Sequence, residues 1–559
     1  MLDPWKGESQ TMNKTRIAGG LSIVILALSV PLADYLFLPA WTLLSLETWV
    51  LVSVYLSLFG VSLQMVLGKK NVLPGAAAGV LPLGAAMAIS AASWLLWPGN
   101  DARYYARLGV DQRSPEDFTL DFPGEGISSG DEELLLLPAL DKELSRTLAQ
   151  GKLGNYGAQF QIDDTIFSSM SLQRDGKPAI YRVAPLDYSG TAVALSNRDQ
   201  GTAGYIEVDQ ESGATRLVEV SGGLKYTPKA LFGYNLARHI RTAYRDKLFD
   251  AWSFEIDDQG DPFWAVPTHR PSIGLFGGPV REGVVVVDAV TGSHEFYLPG
   301  TEPAWLDRSV SVGLVMDQAK DYLGLAGGWV NLVMGPKKDV FQLSDSYAYV
   351  VSNSAAGSRT WFVSGITSPN EADQTLTGML MVDLKSGEAR RYPFAGITEM
   401  RAMEIVMYDE RVRPRGLAAS WPFLVDVDGT PAFAMILKND VQRQRFAYVD
   451  LETGQKVAIG DTRESARSQF IGLVGGVRSD SPAIKHSGRV LRVKDRLDED
   501  TMLFMLQGEP YSLYSSKARD SLGVYFLSPG DQVVFTFRES DAADGMRYVT
   551  ELRNITLGE

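Results

Sequence analysis

Three long apolar stretches open the chain, at about Ile17–Leu38, Thr42–Leu67 and Val72–Trp97. Each is near the ~20 residues that a helix needs to cross ~30 Å of hydrocarbon. The second, WVLVSVYLSLFGVSLQMVL, carries no charge from Val50 to Leu67, so it lacks the polar face of a soluble surface helix. The pattern predicts three membrane-spanning helices within residues 1–100. Gly75, Ala76, Ala77, Ala78 and Gly79 give the third a small-residue face, expected to pack inside this same bundle.

Charge sets an expected orientation. Lys14 and Arg16 precede the first span, Lys69 and Lys70 separate the second from the third, and the other loop region holds only Asp34 and Glu47. Positive residues favour the cytoplasm, which puts the N-terminus and Lys69–Lys70 inside and everything after Trp97 outside. Tyr35, Trp41, Trp49, Trp94 and Trp97 fall at the expected outer boundary. Lys14 and Arg16 before an apolar run also fit a signal peptide, but no small-x-small cleavage site follows. Either reading delivers the rest of the chain to the same side.

Beyond residue 100 the periodicity changes. Asp101–Gly130 is polar and rich in Pro, Gly and acids, and reads as a spacer. A helix is expected over Pro138–Gln150, with Pro138 in its first turn, Leu140, Leu144 and Leu148 on one face, and Gly151 as its stop. Short alternating segments then repeat. GYIEVDQESGATRLV (Gly204–Val218) matches GMLMVDLKSGEARRY (Gly378–Tyr392), each reading as a hairpin with Gly in a left-handed turn position. FEIDDQGDPFW from Phe254 matches FLVDVDGTPAF from Phe423, and VVVVDAVTG ending at Gly292 matches FAYVDLETG ending at Gly454. The three matches keep their order, which reads as a tandem duplication. Between the first two elements of each copy lies a helical pattern. Thr227 and Pro228 are the expected start in copy one, with Leu236, Ile240, Ala243 and Tyr244 on one face. In copy two Thr398 is the expected cap, and Met400, Met403 and Met407 the apolar stripe. A helix across one face of an antiparallel sheet is an α+β unit.

These segments, about Tyr234–Tyr297 and more loosely Thr398–Ala458, resemble the PepSY module of bacterial extracytoplasmic proteins, which ends in a strand with a V-D-x-x-T-G turn. The resemblance implies a noncatalytic fold that binds or restrains a partner such as a peptidase. The insertion Pro299–Thr377 and the upstream hairpin depart from a simple PepSY unit. Residues 488–557 break into GRVLRVKDR, TMLFMLQ, PYSLYSS, DQVVFTFRES and MRYVTELRNITL, with Lys517–Leu527 between the third and fourth, and are similar to a small OB-like barrel. Phe504, Tyr511, Tyr514, Tyr525 and Phe526 are expected in its core.

The expected organisation is a three-helix anchor (1–100), a spacer and helical connector (101–180), α+β repeat 1 (181–300), a connector (301–362), α+β repeat 2 (363–465) and the barrel (486–559). The 559 residues leave room for several such units. Lys plus Arg is 53 against 67 Asp plus Glu, net −14, which argues against nucleic-acid binding. The OB-like part has the same balance, 9 basic to 12 acidic residues from Gly488 onward. With no cysteine, disulfides, thiolate metal sites and cysteine nucleophiles are excluded.

Candidate chemistry is sparse. The four histidines, His239, His269, His294 and His486, form no HExxH or paired helical pattern, and His239 is expected on the exposed side of its helix. No GxSxG elbow, P-loop or strand-associated GxGxxG occurs. Asp257, Asp258 and Asp261, like Asp426 and Asp428, fit strand-connecting turns better than calcium ligands. Arg238, Arg241 and Arg245 form a basic stripe opposite Leu236, Ile240 and Tyr244. This stripe is the candidate binding surface, for an anionic partner or a lipid headgroup, set against a solvated face paired with Asp246 or Glu255. No catalytic, metal or cofactor residues are expected. The reading is a noncatalytic binding or scaffold protein anchored in the inner or plasma membrane. Its partners are expected among other envelope proteins or cell-wall polymer. The alternatives are a subunit of a membrane secretion or transfer machine, and an extracytoplasmic hydrolase or its regulator.

Overall fold

The computed structural model describes residues 4–69, 71–95, 110–112, 124–125, 134–162, 168–174, 177–325, 328–344, 346–354, 357–370, 375–427, 429–439, 442–474, 484–496, 501–509, 512–517, 522–538 and 546–558. Three helices lead: α1 (Pro4–Phe37), α2 (Leu46–Val66) and α3 (Leu73–Leu95). Lys14–Phe37, Leu46–Val66 and Leu73–Ser93 are long and apolar enough to cross a membrane, and most of their surface faces outward. Ser45 starts α2 by accepting the Thr48 N–H at 3.4 Å. Small residues set the spacing of α2 and α3. A Cβ on Gly75 would strike the Gly60 backbone, and one on Gly79 would strike the backbone of Ser53 and Ser57. This close approach lets Ser57 Oγ donate to the Ala76 carbonyl at 2.9 Å.

A body of helices and several antiparallel sheets follows. In the first sheet, Lys177–Tyr188 pairs with Phe160–Ile162, Ser168–Arg174 and Thr202–Asp209, and the last pairs with Thr215–Leu224. Helix α4 (Lys142–Lys152) adds Leu144 and Ala149 to the core of this sheet, beside Leu186 and Ile206. Its cap is Asp141, whose carboxylate accepts the Leu144 N–H at 3.0 Å, so Pro138 lies before the helix rather than in its first turn.

The second sheet runs Ser253–Ile256, Pro262–Ile273, Gly277–Asp288, His294–Tyr297, with Leu248–Phe249 also beside Pro262–Ile273. Helix α5 (Leu236–Ala243) sends Leu236 and Ile240 into a core shared with Phe254, Trp264 and Val285.

The third sheet is the largest. Ala348–Ser354, Gly357–Thr367, Thr375–Asp383 and Ala389–Ile397 form one half; Phe423–Val427, Thr430–Lys438, Arg443–Asp450 and Val457–Gly460 form the other. Leu134–Leu136 and Gly124–Glu125 join the halves. Val110–Gln112 adds a parallel strand to Ala389–Ile397. The described residues of the expected spacer are therefore strands of this sheet. The expected connector 301–362 likewise supplies helix α6 (Val312–Gly324), strand Ala348–Ser354 and part of the next. Helix α7 (Glu399–Tyr408) is capped by Thr398, whose hydroxyl accepts the Arg401 N–H at 3.2 Å. Its buried stripe is Ala402 and Val406 with Glu399, whereas Met403 and Met407 are only partly buried and Met400 is exposed. Helix α8 (Arg463–Val474) covers the last strands through Ala466, Phe470 and Ile471.

At the C-terminus, Ile484–Arg496 pairs with Thr501–Leu506, which pairs with Leu513–Lys517. The third runs parallel to Met546–Asn554, which pairs with Gln532–Arg538, and that strand returns to Ile484–Arg496. Each of the five strands thus has two neighbours. Phe504, Tyr514 and Phe535 fill the interior. Tyr525 and Phe526, expected there too, are instead exposed at 63% and 58%. Val524 and Leu527 on either side of them take the buried positions. Tyr511 lies outside the described residues.

Candidate functional site

The basic stripe is the place to begin. Asn235 caps α5 by accepting the Arg238 N–H at 3.1 Å. The expected start at Thr227 and Pro228 is not used, because Thr227 donates its hydroxyl to Asp187 at 2.7 Å and Lys229 N–H adds a second bond at 3.1 Å. A short 3-10 turn, Phe232–Tyr234, intervenes. The helix ends at Ala243, so Arg245 lies beyond it.

The three arginines then separate. Arg238 stacks its guanidinium 3.8 Å from the Tyr35 ring centre and donates to the carbonyls of Tyr35 (3.2 Å) and Phe232 (3.3 Å). Arg245 pairs with Asp34 at 3.2 Å, while its own carbonyl accepts the Trp41 N–H at 2.7 Å. The Trp41 indole donates to the other Asp34 oxygen at 2.6 Å. Tyr35, Asp34 and Trp41 belong to the end of α1 and the turn into α2, so two of the arginines seat the body on its own anchor. Arg241 is held by its own segment: it donates to the Lys247 carbonyl at 2.6 Å and lies over Phe249. Burial lowers its pKa, opposed by Glu47 and Asp246. Glu255, the expected local acid, takes a different cation, Arg308.

A second seat lies at α3. The turn between Pro262–Ile273 and Gly277–Asp288 reaches the helix at Gly274, where a Cβ would come within 3.0 Å of the Ser93 Cβ. Both seats are at the same end of the three-helix bundle. At the opposite end, the Arg16 guanidinium lies against Gly68, after α2. Lys70 and Trp97 lie outside the described residues, as does the Trp94 side chain.

The histidines all serve local contacts. His239 is half-buried rather than exposed, donating from Nε2 to the Gly292 carbonyl at 2.7 Å with its ring 5.4 Å from that of His294. Burial lowers its pKa, partly offset by that carbonyl. His294 meets the Tyr244 hydroxyl at 3.1 Å, His269 meets Asp250 at 2.8 Å, and His486 meets Glu509 at 2.8 Å. Among the described residues, no group of three His, Asp or Glu side chains is placed to hold a metal ion.

The aspartates of the repeated motifs do turn work. Asp209, Asp288, Asp383 and Asp450 each accept backbone N–H groups of the following turn through the carboxylate. The N–H of Gly213, Gly292, Gly387 and Gly454 returns to the same aspartate's carbonyl at 2.8–3.1 Å. Asp257 accepts from Gln259 and Asp261 in the same way. Asp428 lies outside the described residues.

Two features escaped the sequence reading. One is an internal ionic group: Arg308 and Glu255 at 2.9 Å, Ser253 donating to the same Glu255 oxygen at 2.6 Å, and Arg182 and Tyr349 nearby. Burial brings Arg182 down to about 10, eased by Asp141 and reinforced by Arg308. The only sequence signal was a charge standing inside an apolar strand, as in FEI and YRVA. The other is an apolar cleft of about 320 Å³ between α1 and α2, with Trp41 among its lining residues. Nothing in one-dimensional hydropathy distinguishes such a cleft from a smooth helix surface. Comparison with protein-family models, with curated proteins and with solved structures finds no match.

Proposed function

We propose that the chain is a noncatalytic binding or scaffold protein of the bacterial envelope, held in the inner or plasma membrane with its N-terminus in the cytoplasm and residues 101–559 outside. The observation that carries this reading is the pair of seats. Arg238 and Arg245 grip the α1–α2 turn, and Gly274 meets Ser93, so the body rests at the end of the bundle away from Arg16 and Lys69. Basic residues favour the cytoplasmic side, which leaves the body on the other. A body held at fixed height above the bilayer suits the capture of other envelope proteins or cell-wall polymer.

The internal plan of this reading is a duplication. In support, the order hairpin, helix, two-residue strand, then four strands recurs: Thr202–Leu224 to Tyr297, and Thr375–Ile397 to Gly460. The two-residue strands Leu248–Phe249 and Ala418–Ala419 each pair with the second strand of that four-strand set. Matching aspartate turns close both hairpins. We read these units as PepSY-like and the C-terminal five-stranded ring as OB-like.

Two measurements test the proposal on the full-length, naturally cysteine-free protein. With Asp199→Cys, an impermeant maleimide should label cells whose inner membrane is intact; with Lys69→Cys, labelling should require its lysis. The reverse pattern would overturn the orientation. Cross-linking in cells followed by affinity purification should recover one envelope protein or glycan polymer in constant ratio. Recovery of neither would overturn the binding role.

A further inference from the structure

The cleft between α1 and α2 has a shape and a mouth that together specify an occupant. Ile23, Leu26, Ala27 and Val30 line one side; Leu51, Val52, Tyr55, Leu56 and Phe59 line the other; Trp41 stands at one end. Val30, Val52, Leu56 and Phe59 are exposed, so the cleft opens sideways where the hydrocarbon would lie. The polar groups at its edge are already satisfied by each other, Ser29 Oγ against Tyr55 OH at 3.0 Å, which leaves an apolar interior. At 1.5 Å per residue, Leu51–Phe59 runs about 12 Å, close to the ~15 Å of one leaflet. A spanning helix would need a groove of about twice that length.

The mouth is cationic on one side. Trp41 links the cleft to Arg245, whose side chain is 59% exposed although paired with Asp34. Next to it Arg238 makes only ring and carbonyl contacts among the described residues, and its buried Nε has no partner. Arg238 thus brings a positive charge to the bilayer boundary with no carboxylate of the described residues paired to it.

The geometry points to a bound phospholipid of the body-side leaflet, with one acyl chain in the α1–α2 cleft and an anionic headgroup at Arg238 and Arg245. The site rests on the three helices spanning a bilayer and not on the scaffold role, so the two fail separately. The headgroup would sit between the anchor and α5, and the lipid would be part of the seat.

The test uses the full-length protein in nanodiscs of equimolar phosphatidylglycerol and phosphatidylcholine, with native mass spectrometry counting retained lipid. The wild type should keep one lipid, enriched in phosphatidylglycerol. Ala27→Trp, which fills the cleft, should abolish retention. Val24→Trp, equally bulky but not lining the cleft, should not. Arg238→Ala and Arg245→Ala should keep the lipid but lower the preference by about five-fold each. Equal retention of both lipids by the wild type, or full retention by Ala27→Trp, would overturn the site. So would a stoichiometric protein that shields Ala27→Cys from a lipid-soluble maleimide, since the cleft would then hold a helix.

Discussion

Glu255 and Arg308 meet at 2.9 Å with side-chain exposures of 0% and 9%, joining a strand of the second sheet to the loop before α6. Glu255 Oε2 and Arg308 Nη2 have no further partner among the described residues. Such a pair is worth less than the damage done by halving it. Arg308→Met should cost about 3–5 kcal/mol, because it strands a buried carboxylate. The double variant Glu255→Gln, Arg308→Met should regain most of that. Thermal unfolding of the solubilised protein reads both, and a double variant as weak as the single would refute the argument.

The α2–α3 contact makes a second prediction. Gly79→Leu must push α3 away from the Ser53–Ser57 backbone, an overpacking that costs about 1–3 kcal/mol. Gly84→Leu points into open space and should be neutral. Equal melting shifts for the two would show that the helices do not touch there.

The His269–Asp250 pair predicts a pH dependence. Burial disfavours the charged ring, but the Asp250 hydrogen bond and charge, with Asp317 and Glu282, outweigh it and raise the pKa above the ordinary histidine value. A raised value adds stability that is complete below about pH 6.5 and is lost as pH climbs through the folded-state pKa. The melting difference between wild type and Asp250→Asn should therefore be largest in mild acid and shrink above neutrality. A constant difference would assign the pair a purely neutral hydrogen bond.

The seat at α3 can be locked. With no native cysteine to interfere, Ser93→Cys with Gly274→Cys should form a disulfide under mild oxidation in membranes, since the two Cβ positions are adjacent. Pairing Ser93→Cys with Asp199→Cys provides the control for random collision. No bond above that control would mean that the body is not seated as described.

The parts of this architecture written in the sequence are those fixed by local chemistry. Three apolar runs gave three helices, and Asp followed by Ser/Thr-Gly gave turns, because both depend on a few neighbouring residues. The α5 start was missed because Asp187, some forty residues upstream, captures Thr227 and leaves the cap to Asn235. The methionine row of α7 was misplaced by a fraction of a turn, since Ala402 and Val406 fit closer to the sheet than the longer side chains. Strands at Val110–Gln112 and Gly124–Glu125 were illegible for a related reason: each is only two or three residues long and pairs with a strand hundreds of residues away, Gly124–Glu125 also with nearby Leu134–Leu136. The basic stripe was visible as charge, but only the fold shows that two of its members contact the end of α1 while the third is held by carbonyls of its own segment.

A body standing on one point of its anchor would be free to swivel. This one stands on two, the α1–α2 turn and the end of α3. Two footings resist torque, so the body cannot turn independently of the three helices beneath it. A molecule docked against one side of the helices would therefore always find the same face of the body above it.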